Sequence, residues 1–298
     1  MLPGAVNGAL RVPVDDSFPS PYPGPTAVAE SGGLACEMLG GGPGVSILAL
    51  ADAQQEFDES RSAIEAVPSG GGARVYADSP VGDGGFVTCR DTGSGGLCTW
   101  SVISKGVWLV VDLYPLALDE LEFPPDLPSG WAQPAYPAPD GALDALVGDL
   151  AALASSAPPL TPTSTPATSC LEIATPARIE IALGFDSTTV SVSEQLPAEV
   201  AAAVTSTAGY ALPYYAASRS GWSPCFARSS TSEGQIVVVT RPLDETSSDA
   251  PAGECLGPGD GYEELCRVAV VVGDELRVAQ FTGPGGVSSI GSLTSLVS

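Results

Sequence analysis

The sequence predicts an α+β fold: two tandem copies of a helix-on-antiparallel-sheet module, each stapled by disulfides. Three observations carry that prediction. Runs of β-branched residues come in adjacent pairs joined by two-residue turns, which marks antiparallel hairpins. Cysteines recur in the same order in both halves. A Pro/Thr/Ser stretch, 156–169 (SAPPLTPTSTPATS), separates the halves, and its prolines favour extended backbone that needs no core. The expected domains are therefore 1–155, an N-terminally incomplete first copy, the linker 156–169, and 170–298, the second copy.

In the first half, strands are expected at 45–51, 73–77, 85–89, 98–104 and 107–113, with helices at 60–66 and 140–154. The last two strands flank Lys105-Gly106, a hairpin turn. Helix 140–154 carries Leu143, Leu146, Val147, Leu150, Ala151 and Leu153 at helical spacing, a stripe suited to covering a sheet face. In the second half, strands are expected at 188–192, 235–241, 266–272 and 275–281, the last two joined by Gly273-Asp274. Helices are expected at 176–183, 197–208 and 286–296. The first has Thr175 as N-cap, Pro176 at the first helical position and Gly184 past its end.

The halves can be laid over one another. Leu2-Pro3-x-x-Val6-x-x-x-Leu10 matches Leu196-Pro197-x-x-Val200-x-x-x-Val204. Cys36 and Cys225 each precede a polar stretch and then a β-run. Cys89 and Cys98 bracket a Gly-rich loop, as do Cys255 and Cys266. The repeat selects Cys89–Cys98, Cys255–Cys266 and Cys170–Cys225 from the fifteen pairings six cysteines allow, and leaves Cys36 unpaired. In this alignment Met1 falls opposite Gln195, so counterparts of Cys170 and its helix would precede Met1. Two accounts stay open. The sequence begins inside a module, with an export signal or lipid-anchoring cysteine upstream, or the first copy lost its front helix. Cys36 is then an orphaned bridge partner or a reactive thiol. The acids Glu30 and Glu37 nearby oppose a thiolate.

Composition narrows the chemistry. Net charge is −24, from 35 acidic and 11 basic residues; such a surface repels nucleic-acid phosphates and anionic lipid. The chain has no histidine, which removes the usual general base, the usual triads and most transition-metal ligation. Seven cysteines without a C-x-x-C in a chain with a single lysine, Lys105, fit disulfides outside the cytoplasm. No run of about 18 apolar residues spans a membrane, and the first residues show no signal-peptide pattern. No catalytic residue, cofactor or metal site is expected.

The remaining motifs read as surface or core. The glycine strings starting at Gly40, Gly70 and Gly82 lack the phosphate-loop pattern. Ser94 lies inside a short cysteine-bracketed loop without the full nucleophile elbow. The acidic groups Asp58/Glu59, Asp119/Glu120/Glu122 and Glu263/Glu264 offer paired carboxylates only if a cleft brings them together. Pro258-Gly-Asp-Gly is too short for a calcium loop. Two aromatic groups stand out: Trp100, Trp108, Tyr114 and Trp131 in the first half, and Tyr210, Tyr214, Tyr215 and Trp222 in the second. They fill a sheet–helix core or line a groove for a ligand. The candidate binding residues are Trp100, Trp108, Tyr214, Tyr215 and Trp222.

The succession Cys170, helix, Cys225 before a strand, then Cys255 and Cys266 around a Gly-rich loop leading into a hairpin resembles exported or lipid-anchored envelope proteins of actinobacteria. Arginine over lysine, with abundant Ala, Gly and Pro, fits a high-GC source. The resemblance brings no catalytic residue. It implies a non-enzymatic extracytoplasmic binding or sensing ectodomain with an envelope ligand or protein partner, no nucleic acid, and membrane contact only through an upstream anchor. The alternative is a secreted hydrolase using paired carboxylates.

Overall fold

The computed structural model describes residues 21–38, 44–66, 75–91, 96–116, 142–155, 167–196, 211–231, 234–243, 253–256, 264–283 and 289–298. It is a mixed helix and antiparallel-sheet fold with two six-stranded sheets. The expected helix 197–208 and most of the stretch 156–169 lie outside the described residues. So do Ser94, Asp119, Glu120, Glu122, Trp131, Tyr210 and Glu263.

The first sheet contains β1 (Leu34–Met38), β2 (Gly44–Leu50), β3 (Val75–Asp78), β4 (Gly84–Asp91), β5 (Gly96–Ser104) and β6 (Val107–Leu116). Their order is β1-β2-β6-β5-β4-β3, and every neighbouring pair is antiparallel. The second contains β7 (Val190–Glu194), β8 (Ser223–Ser229), β9 (Gln235–Pro242), β10 (Glu254–Leu256), β11 (Glu264–Val272) and β12 (Glu275–Gly283). Its order is β10-β11-β12-β9-β8-β7, again all antiparallel.

The hairpin turns are the ones the residues demand. Ser104 pairs with Val107 across Lys105-Gly106, and both turn residues have positive φ, 51° and 78°. That is the twist a two-residue hairpin needs. Val272 pairs with Glu275 across Gly273-Asp274, with Gly273 at φ 66°.

Two compact units result. One spans Met1–Val14, Gly24–Pro162 and Pro197–Ala216; the other spans Asp15–Pro23, Thr163–Leu196 and Ala217–Ser298. In the first unit both sheet faces are covered. One face carries Ile47, Trp100, Val102, Leu109 and Val111 against Val147, Ala151 and Ala154 of α3 (Ala142–Ala154). The other carries Leu48, Leu50, Phe86, Ile103, Trp108 and Val110. Against it lie Phe57 of α2 (Gln54–Ala66), Val28 of α1 (Pro25–Glu30), and Leu212 and Tyr215 of α6 (Ala211–Arg219). Burial on both faces explains why 107–111 reads as a continuous apolar run and not an alternating one. Buried hydroxyls on this sheet are paired: Trp108 Nε1 donates to Ser101 Oγ at 2.8 Å, and Thr99 Oγ1 donates to Asp112.

In the second unit α4 (Cys170–Ile173), α5 (Pro176–Leu183) and α7 (Ile290–Val297) cover one face. Ile173, Ile179, Leu183, Leu293 and Leu296 pack there on Ala227, Ile236, Val238, Val268 and Phe281. Helix α5 has the ends its sequence announces. Thr175 Oγ1 accepts the Arg178 N–H at 3.3 Å, and Gly184 closes the helix at φ 72°. The approach to α4 is pinned to the sheet. Thr168 donates to Glu275 through both its N–H (2.5 Å) and its hydroxyl (2.7 Å), and Thr240 Oγ1 donates to the Thr168 carbonyl.

Several expectations need correction. Strands β1, β8 and β10 and helices α1, α4 and α6 were not foreseen. They are short, and the cysteines and prolines among them mask the periodicity. Helix α2 starts at Gln54 and not at 60, because Gln54 and Gln55 support the first turn by bonding Asp58 (3.1 Å) and Glu59 (2.8 Å) one turn on. Strand β7 starts at Val190 and not at 188. Thr188 is held in a turn, donating its N–H and hydroxyl to Asp186 Oδ1 at 2.9 and 2.7 Å. Those bonds keep the Asp186 carboxyl below its usual range. In α3, Leu153 points outward and Ala154 takes the core position.

Candidate functional site

Cys170 and Cys225 form a disulfide tying α4 to β8, with Cα atoms 5.7 Å apart. Cys255 and Cys266 face one another directly across β10–β11 and are bridged, Cα atoms 4.1 Å apart. Cys98 is also disulfide-bonded, and Cys89 is the residue opposite it in the β4–β5 register; the Cys89 side chain lies outside the described residues. Cys36 is the free, buried thiol among the described residues, and burial pushes its pKa up. The bridges indicate an oxidising, extracytoplasmic environment.

The candidate aromatics divide among different surroundings. Trp108 and Tyr215 come together, ring centroids 5.7 Å apart, and Phe57 adds a second edge-on contact to Trp108 at 6.0 Å. Phe86 completes the group, 5.8 Å from Phe57. Trp100 lies on the opposite face of the same sheet, in the cluster under α3. Its Nε1 and the Ser60 Oγ are buried without a hydrogen-bond partner among the described residues. Trp222 belongs to the second unit and lies under the Arg241 guanidinium, 4.9 Å from its ring centroid. Tyr214 is buried. All five side chains sit within the folded interior, at 9% exposure or less.

One of these residues touches the surface chemistry. The Tyr215 hydroxyl donates to Glu59 Oε2 at 3.5 Å. Burial, and then the Glu59 carboxylate with its hydrogen bond and the Glu56 charge, push the Tyr215 phenol far above its ordinary value. It therefore stays protonated and acts as a donor at any physiological pH. Glu59 also lines a surface depression on α2 together with Gln54, Gln55, Asp58 and Ser62. The glutamine amides hold the Asp58 and Glu59 carboxylates in place from one turn away. Arg61 ties the same helix to β3 through Asp78 at 2.7 Å. This face presents oriented carboxylates to solvent.

Sequence reasoning singled out Asp58 and Glu59 only as an acidic pair. The signal that would have found the depression is Gln-Gln followed one turn later by Asp-Glu, which places amide donors beside acid acceptors on one helix face. Among the described residues no three His, Cys, Asp or Glu side chains gather as a metal site, and no helix is long and apolar enough to cross a membrane.

No protein-family model, curated protein or solved structure matches the chain.

Proposed function

We propose that this chain is a non-enzymatic extracytoplasmic binding or sensing ectodomain of a cell envelope, built from two copies of one module. The observation that carries the reading is the presence of disulfide-bonded cysteines in both units: Cys98 in the first, Cys170–Cys225 and Cys255–Cys266 in the second. Stable structural bridges belong to compartments outside the reducing cytoplasm. A chain without histidine lacks the commonest acid–base group, which favours binding over turnover. The strongly negative surface favours ligands or partner surfaces carrying positive charge, and among the described residues the α2 face orients two carboxylates, Asp58 and Glu59.

Two parallels support the duplicated plan. The order β1-β2-β6-β5-β4 in one sheet corresponds to β8-β9-β12-β11-β10 in the other, with Cys36 and Cys225, and Cys98 and Cys266, on matching strands. The turns entering β1 and β8 also share two backbone bonds. Gly33 N–H donates to Val28 O (2.8 Å) and Gly32 N–H to Ala29 O (3.0 Å); Trp222 N–H donates to Ala217 O (2.9 Å) and Gly221 N–H to Ser218 O (3.2 Å). Gly32 and Gly221 take φ of 82° and 76°.

The compartment is tested by trapping thiols in living cells with acid and alkylating before reduction. All of the seven cysteines except Cys36 should resist alkylation. A fully alkylated protein would refute export. Protease added to intact cells should also digest the chain; survival until lysis would refute surface exposure.

A further inference from the structure

Strands β1 and β8 can be compared position by position. In the second unit the outer edge of β8 is occupied: β7 pairs with it from Val190↔Ser229 to Glu194↔Cys225, and Cys225 is bridged to Cys170 just upstream. In the first unit β1 ends the sheet, and no strand among the described residues pairs with its outer edge. Cys36, at the Cys225 position, is free.

Exposure differs in the same sense along this edge. Registers Leu34↔Ala49 and Cys36↔Ile47 correspond to Ser223↔Thr240 and Cys225↔Val238. Leu34 is 44% exposed against 6% for Ser223, Cys36 is 8% against 1% for Cys225, and Ile47 is 8% against 1% for Val238. Helix α3 covers β5 and β6, while α4, which with the bridge covers Cys225, packs on β7, β8 and β9. An edge strand whose outer backbone groups pair with no strand among the described residues, and which exposes a leucine, is a template for strand addition.

We propose that the outer edge of β1 takes a cysteine-bearing peptide segment of the Cys170–Glu194 design, which adds as an antiparallel strand and becomes disulfide-bonded to Cys36. The proposal rests on the duplicated-module reading. The covalent step is thiol–disulfide exchange. The peptide cysteine arrives as a mixed disulfide with a small thiol. Cys36 loses its proton to solvent, and its sulfur attacks the peptide sulfur. The bond to the small thiol breaks, and that thiol leaves with the electron pair and takes up a proton. Docking of the strand supplies the effective concentration that a buried thiol otherwise lacks.

The test uses the intact oxidised protein and a synthetic peptide of residues 170–194 with its cysteine as the glutathione mixed disulfide. A peptide of shuffled order with the same cysteine is the control. The native-order peptide should become linked to Cys36 at least about tenfold faster than the shuffled one. In a Cys36→Ser variant it should still slow amide exchange across Leu34–Met38. Equal rates for the two peptides, or no protection of β1, would overturn the proposal. Disulfide mapping of the same sample separates the two failures. Intact Cys170–Cys225 and Cys255–Cys266 bridges with no peptide capture refute the docking alone, whereas scrambled bridges refute the duplicated plan beneath it.

Discussion

Replacing Cys170 and Cys225 together by alanine should destabilise the second unit more than replacing Cys255 and Cys266. The magnitude follows from the loops closed. The first bridge spans 55 residues of separation and the second 11. The chain-entropy relation gives about 4 kcal/mol for the longer loop and about 3 kcal/mol for the shorter. The sulfurs of Cys170 and Cys225 are both buried among Ile173, Ala227 and Val238, so alanine also loses packing there. Cys255 is exposed and loses less. The assay is native-state amide exchange in increasing urea, read on β8 and β9, with β5 and β6 of the first unit as the internal reference. At a urea dependence of about 1–3 kcal/mol/M, the opening of β8–β9 should shift by about 2 M. A loss below about 1 kcal/mol, or a larger loss from the Cys255/Cys266 pair, would show that loop closure does not set the contribution of these bridges.

Three further outcomes are expected. Glu275 is paired with Arg277 at 3.2 Å. Burial opposes its ionisation, but the two Thr168 hydrogen bonds and Arg277 outweigh it and hold its carboxyl below the usual range. The stability this contributes is fully present above about pH 5 and is lost as pH falls through the depressed folded value. Melting temperatures of the wild type and Glu275→Gln should therefore converge toward acid pH; a gap that widens there would contradict the assignment. Lys105→Asn should raise stability by about 0.5–1 kcal/mol, since lysine is held at φ 51° where asparagine sits more easily; denaturant titration checks it, and a loss would count against the turn geometry. Gly33→Ala should cost about 1–3 kcal/mol, because the added Cβ would lie 2.4 Å from the Ala49 carbonyl, and amide exchange should show the loss in β1 and β2.

Much of the fold was legible wherever local chemistry decides it. Lys105-Gly106 and Gly273-Asp274 specify two-residue hairpins by backbone conformation alone, and Thr175, Pro176 and Gly184 specify a helix by its ends. The edges were not legible. Strand β1 reads Leu-Ala-Cys-Glu-Met, too short and mixed for periodicity. Helix α6 carries Pro213 in its first turn, where the missing N–H costs nothing, yet proline reads as a breaker. The aromatic candidates show the limit for sites. Sequence grouped Trp100 with Trp108, but residues eight apart on neighbouring strands of a hairpin emerged on opposite faces. The partner of Trp108 is Tyr215, from a distant helix, and no local pattern encodes that contact.

The most direct measurement is mass-spectrometric mapping of the native disulfides after thiol blocking, without reduction. The expected map contains Cys170–Cys225, Cys255–Cys266, a bridged Cys98 and a blocked Cys36. A bridge joining any cysteine before residue 155 to Cys170 or to a later cysteine would contradict it.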